Sequence, residues 1–166
     1  MSNETATPSQ FDRPDRSTAA ARPEFTVRPL VYGDLPAVLA IERWSFKTPW
    51  SLAMFVLELS KPSGICLAIT DYNGNLGGYL VCSRYTDVWH LMNIAVVPER
   101  RREGIATELM LKLFETVGAQ ARITLEVRLS NSAAIQMYER FSFKPAGHRR
   151  RYYHDNGEDA LIMWRE

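Results

Sequence analysis

Asn93-Ile94-Ala95-Val96-Val97-Pro98-Glu99-Arg100-Arg101-Arg102-Glu103-Gly104-Ile105-Ala106-Thr107-Glu108-Leu109-Met110 is the stretch from which the rest of the chain can be ordered. Its apolar, β-branched opening, Ile94 to Val97, reads as a buried strand. Pro98 ends it, because proline has no N–H to give a ladder. A basic loop, Arg100 to Arg102, follows. Gly104 then opens an amphipathic helix with Ile105, Leu109, Leu113 and Val117 along one face. A helix start leaves amide N–H groups pointing outward, and a glycine there lets a ligand come close to the backbone. Strand, basic turn and helix together read as a site for an anion such as phosphate. The plainer alternative is an ordinary strand–turn–helix with a solvated loop. No G-x-x-x-x-G-K-[ST] string occurs, which counts against nucleoside triphosphate hydrolysis.

The chain has 166 residues, room for one domain with a real core. A net charge of +1 gives no reason to expect nucleic acid or an anionic membrane as partner. Cys66 and Cys82 sit in apolar runs and read as reduced core thiols. His90, His148 and His154 have no metal-ligand spacing with them, so no metal is expected. With no long apolar span and no signal-like N-terminus, the expected location is cytoplasmic. Residues 1–23 are rich in Ser, Thr, Ala, Pro and Arg and are expected to be a disordered tail. The folded domain is expected over 24–166.

Upstream of the opening stretch, Phe25 to Leu30 alternates as a strand. Asp34 is expected to cap a helix carrying Leu35, Val38 and Leu39, and Thr48-Pro49 to start a second with Leu52, Phe55, Val56 and Leu59 inward. The connection Glu42 to Trp50 is dense in aromatics and reads either as a hydrophobic clasp or as a substrate wall. Strands follow at Ile65–Asp71 and Gly78–Arg84 around Tyr72-Asn73-Gly74-Asn75, and Val88 to Val97 continues the meander. Downstream lie a strand at Arg122–Arg128, a helix from Ser132 to about Phe141 capped by Asn131 or Ser130, and two strands flanking Asp155-Asn156-Gly157. The order β-α-α-β-β-β-α-β-α-β-β implies an α/β (α+β) fold with one mixed sheet and helices on both faces.

Glu126 is centred in an otherwise apolar strand. Desolvation there is expected to raise its pKa, making it a better base near neutrality. The alternative is a solvent-facing glutamate paired with Arg128. Tyr138, on the next helix face with Ala134 and Phe141, reads as a core tyrosine with a satisfied hydroxyl, and Asn131 as a cap.

Four strings carry a resemblance. Arg101-x-x-Gly104-x-Ala106 is similar to the pyrophosphate-binding signature of the GNAT superfamily of acetyl-CoA-dependent N-acetyltransferases. Leu125-Glu126-Val127-Arg128-x-Ser130-Asn131-x-x-Ala134-Ile135-x-x-Tyr138 resembles the strand–helix signature of its RimI-type members, the ribosomal-protein alanine N-acetyltransferases. Arg150-Arg151-Tyr152-Tyr153 and Glu158-Asp159-Ala160-Leu161-Ile162-Met163 resemble that family's closing motifs. The resemblance covers about Phe25 to Trp164 and implies a mostly antiparallel sheet of about seven strands. It implies that Glu126 is the general base and Tyr138 the general acid. It puts acetyl-CoA, as co-substrate, on Ile94, Ala95, Val96, Arg101, Arg102, Glu103, Gly104, Ile105, Ala106, Thr107, Asn131 and Tyr138. It puts peptide walls at Glu42, Phe46, Trp50, Tyr152 and Tyr153. The implied partner is a protein N-terminus, plausibly of a ribosomal protein beginning with alanine, and the implied protein is a monomer or weak dimer. Two positions depart from the family pattern: Ala106 stands for a common glycine, and Ser142 stands where glycine is usual, which implies a left-handed serine.

The chemistry of the amine bears on the substrate. An α-amine has a pKa of about 7.7–8.0 against about 10.4 for lysine, so a carboxylate base has less to do on a chain terminus. A small free amine, a lysine, and a non-catalytic acyl-CoA-binding module remain as alternatives. Retention of both Glu126 and Tyr138 argues against the last.

Overall fold

The computed structural model describes residues 25–166; the tail expected over residues 1–23 lies outside them. The elements are β1 (Thr26–Pro29), α1 (Leu35–Ser45), α2 (Leu52–Ser60), β2 (Gly64–Thr70), β3 (Leu76–Tyr85), β4 (Val88–Val96), α3 (Ile105–Val117), β5 (Arg122–Arg128), α4 (Ser132–Arg140), β6 (Lys144–Tyr153) and β7 (Glu158–Arg165). Short 3-10 turns precede α1 and follow β4. This is the element order read from the sequence.

The seven strands form one sheet in the order β1-β2-β3-β4-β5-β7-β6, and only β4 and β5 run parallel. Alternation along β3 explains the layering. Leu80 and Cys82 pack with Ile105, Leu109 and Leu113 of α3 and with Tyr138 of α4. Tyr79 and Val81 point the other way, into a cluster with Val38 and Ile41 of α1 and Phe55 of α2. A strand buried on both faces must be central.

The feature that matters for function lies between the parallel strands. β4 and β5 pair at only three positions, Val88↔Arg122, Trp89↔Ile123 and His90↔Thr124. Past His90, β4 stays bonded to β3 as far as Val96 and β5 stays bonded to β7 as far as Arg128, but the two no longer pair with each other. A bulge helps turn β4 aside: Val81 faces Asn93 and Cys82 faces Leu91, leaving Met92 as the extra residue. The sheet therefore opens as a wedge at the carboxyl ends of two parallel strands, where open α/β sheets bind ligands.

Three local expectations need correction. The Asp34 side chain makes no cap bond; it accepts two hydrogen bonds from the Arg28 guanidinium, at 2.7 and 2.8 Å, and one from the Val31 amide. A charged donor outbids a helix amide. The second helix starts at Leu52 with Ser51 as its cap, so Thr48 and Pro49 belong to the connection. Its buried side chains are Phe55 and Glu58, while Leu52 and Val56 are exposed. Glu58 turns inward because Ser83, at 2.5 Å, and Lys61, at 2.6 Å, bond its carboxyl.

Candidate active site

Glu126 sits on β5 two residues beyond the last β4–β5 pair, at the throat of the wedge. Its side chain is only 7% exposed, and both oxygens are engaged. Nε2 of His90 lies 2.5 Å from Oε2, and the Arg149 guanidinium lies 3.2 Å from Oε1. Burial alone would raise its pKa, but the hydrogen bond from His90 and the charges of His90 and Arg149 outweigh it, and the carboxyl is held below its ordinary value. Both readings of Glu126 made from its strand alone are thus corrected. Its pKa goes down rather than up, and Arg128 is not its partner. Arg128 bonds Asp155 at 2.8 Å and Glu158 at 3.2 Å, with its guanidinium 3.8 Å from the Tyr153 ring centre.

Tyr138 only half fits the reading of a core tyrosine with a satisfied hydroxyl. Its ring belongs to the core, 5.7 Å from that of Phe143. Its hydroxyl has no hydrogen-bond partner among the described residues. Burial, with Tyr153 adding to it, pushes its pKa well up, so the proton stays on at any working pH. Burial pushes the Tyr153 hydroxyl up to about 12, with the charges of Tyr152 and Glu126 adding to it.

The candidate anion site follows the carboxyl end of β4. Arg102 and Gly104 both have left-handed backbones, φ 69° and 85°. The first helical bond of α3 runs from the Glu108 amide to the Gly104 carbonyl at 3.0 Å. The amides of Ile105, Ala106 and Thr107 therefore have no helical acceptor and form the donor set that suits phosphate. The Ile105 side chain itself is in the core, so only its amide can take part. Arg100 is spent on Asp71 and Glu103, each at 3.2 Å. Arg101 ties the loop to the Val96 carbonyl at 3.3 Å and to Ser45 of α1 at 3.2 Å. Arg102 is exposed and has no side-chain partner among the described residues. Ile94, Ala95 and Val96 lie on the part of β4 that β5 has left. Asn131 caps α4 through Oδ1 to the Ala134 amide.

The walls are less uniform than expected. Glu42 is not a wall: it is 1% exposed, at the end of α1. One oxygen accepts from the Trp50 amide at 2.7 Å, the other from the Tyr79 hydroxyl and from Asn93 Nδ2. It fastens α1, the α1–α2 connection, β3 and β4 together, which sets the wedge's near side. Trp50 packs on Phe55 as a clasp, whereas Phe46 is exposed. Tyr152 and Tyr153 stack edge to face at 5.1 Å. The hydrogen bond from Arg128 holds the Asp155 carboxyl below its ordinary value, and the Lys47 charge adds to it.

Sequence reading missed His90, Arg149 and the Tyr79–Asn93 pair. None carries a local motif. The first two meet Glu126 only because β4 runs parallel to β5 and β7 inserts between β5 and β6. Among the described residues no cluster of His, Cys, Asp and Glu could hold a metal, and no helix is long and apolar enough to cross a membrane.

Comparison with known proteins agrees with this geometry. The family model described as acetyltransferase (GNAT) family matches residues 35–143. The chain is 35% identical over 142 residues to the [ribosomal protein bS18]-alanine N-acetyltransferase of Escherichia coli K12, covering 83% of this chain and 95% of that one. It is 34% identical over 143 residues to the Salmonella typhimurium protein of the same description, with the same coverage. The crystal structure of the Escherichia coli ribosomal-protein alanine N-acetyltransferase superposes with a TM-score of 0.78 at 34% identity, over 85% of this chain and 92% of that one.

Proposed function

Because the chain belongs to the GNAT family of acetyl-CoA-dependent N-acetyltransferases and is of the ribosomal-protein alanine N-acetyltransferase type, we propose that it acetylates the α-amine of a protein beginning with alanine. The substrate class follows the bS18-alanine description of its relatives, and a ribosomal protein would be met in the cytoplasm. The observation that carries the reading is the wedge: a buried carboxylate stands at the point where two parallel strands part, and β4 leads on from there to three free helix amides.

Acetyl-CoA supplies an activated thioester. The residues that would hold it are the Arg102–Thr107 backbone, which suits its pyrophosphate, and the open edge of β4 from Ile94 to Val96. Glu126 is ionised throughout the neutral range, since its partners hold its pKa down. It attracts the substrate's ammonium and takes a proton from the amine, directly or through water, as the amine becomes a nucleophile. Tyr138, always protonated, donates to the departing sulfur. Because desolvation has made this phenol a weak acid, it serves first as a hydrogen-bond donor to the developing thiolate. No covalent enzyme intermediate is needed. Phe46, Tyr152 and Tyr153 flank the path of the peptide.

The test is a peptide with alanine first and one internal lysine, incubated with acetyl-CoA and analysed by fragment mass spectrometry. Acetyl on the alanine nitrogen alone is expected. Acetyl on the lysine, or on neither, would overturn the reading.

A further inference from the structure

Each oxygen of Glu126 already faces a partner that a substrate ammonium would compete with. Oε2 is bonded to His90 from β4 at 2.5 Å, and Oε1 pairs with the Arg149 guanidinium from β6 at 3.2 Å. The carboxylate has lone pairs to spare, but a second cation at either oxygen meets the charge of the one already there. The two partners differ in how firmly they are held. His90 is on a central strand, with its side chain 25% exposed, and makes the shorter contact. Arg149 is 55% exposed on the edge strand of the sheet, reaching Glu126 across β7 at the longer distance. Its strand loses register with β7 directly after it, between Arg149 and Tyr153, where Arg151 takes a left-handed backbone. A resting place is also at hand, since the guanidinium carbon already lies 5.6 Å from the centre of the Tyr152 ring.

We infer that Arg149 holds the place of the substrate's ammonium on Glu126 in the free enzyme, and that an incoming chain terminus must displace it. The inference rests on the reading of Glu126 as the group that receives the amine. Arg149 is then a positioning residue that sets the threshold for binding: only a cationic, well-directed amine competes with a guanidinium already in place. After transfer the amide product carries no charge, and the guanidinium can return as the product leaves.

The test is equilibrium binding to the full chain saturated with CoA, which lacks the acetyl group and cannot react. Two uncharged-side-chain octapeptides serve as probes, one beginning with alanine and one with propanoyl in its place, which has no amine. Arg149→Ala should tighten the alanine peptide about two- to fivefold, the size of a half-exposed ion pair, and leave the des-amino peptide unchanged. Arg149→Lys, which keeps a cation, should restore wild-type binding, and in a Glu126→Gln background Arg149→Ala should have no effect. Equal or weaker binding of the alanine peptide, or a common shift of both peptides, would overturn the inference, because either means that Arg149 touches the peptide or merely shapes the strand. Failure of the base reading looks different: Glu126→Gln would turn over at the wild-type rate while Arg149→Ala still tightened binding.

Discussion

The Tyr138 side chain is divided between a ring that the core needs and a hydroxyl that nothing in the described protein uses. Removing the hydroxyl should therefore separate catalysis from stability. Tyr138→Phe is expected to leave the melting temperature within about 2 °C of wild type, as for a change that breaks no buried bond, while lowering kcat measurably in a thiol-release assay. A large loss of stability would show that the hydroxyl is structural. Ser142 offers the reverse case, a residue with a conformational cost and no chemical role. Its φ is 67°, the left-handed serine that the resemblance implied at a position where glycine is usual. Ser142→Gly should stabilise the protein by about 0.5–1 kcal/mol in chemical denaturation, with turnover unchanged. Glu42 shows the limit of reading residues one at a time: its place in an aromatic-rich stretch suggested a surface, but three donors from separate elements hold it inside.

Among the elements, α3 shows most directly how local sequence makes a site. A Cβ added at Gly104 would meet nothing within 4 Å, so crowding does not require glycine there; the backbone at φ 85° does, as does any anion brought to the next three amides. Gly104→Val should weaken acetyl-CoA binding at least tenfold, roughly 1.4 kcal/mol, by calorimetry on a folded variant. Unchanged affinity would remove the anion site from the account. The periodicity of α3 and the stop at Pro98 were legible because each reflects a short-range rule. The start of α2 was less so. Pro49 looked like a first helical residue, but the true cap is Ser51, whose hydroxyl can accept from the Met54 amide. Leu52 and Val56 matched helical spacing and yet face solvent, because the helix is turned by a buried Glu58 that hydropathy would place outside. Propensity marks the helix, and tertiary hydrogen bonds choose its face.

Taken whole, the molecule carries paired carboxylates that tie its strands and turns together, and these set its response to acid. Hydrogen bonds from Ser130, with Arg128 nearby, hold Glu158 at about 2 against an ordinary 4.5. Arg28 lowers Asp34, and His90 with Arg149 lowers Glu126 despite its burial. Each binds its proton more weakly folded than unfolded, so its contribution to stability is complete above the ordinary carboxyl range. That contribution is lost as the pH falls through the depressed values. Chemical denaturation midpoints should be flat from pH 7 to about 5 and decline steadily toward pH 2; a midpoint that held or rose on acidification would contradict these pairings. The element order could be read from the sequence, but the wedge could not. Its cause, the early parting of β4 from β5, is a long-range choice without a local signature. For the same reason Glu126 could be singled out while its partners and the sign of its pKa shift could not. The central claim remains that this buried carboxylate removes the amine's proton. The most direct measurement is kcat for Glu126→Gln on an alanine-initiated peptide across pH 6 to 9, with acetyl-CoA affinity measured alongside. The expected result is unchanged affinity and a kcat lower by about 10²–10⁴, with the residual rate climbing as the amine deprotonates on its own. Turnover at the wild-type rate, with the same pH dependence, would contradict it.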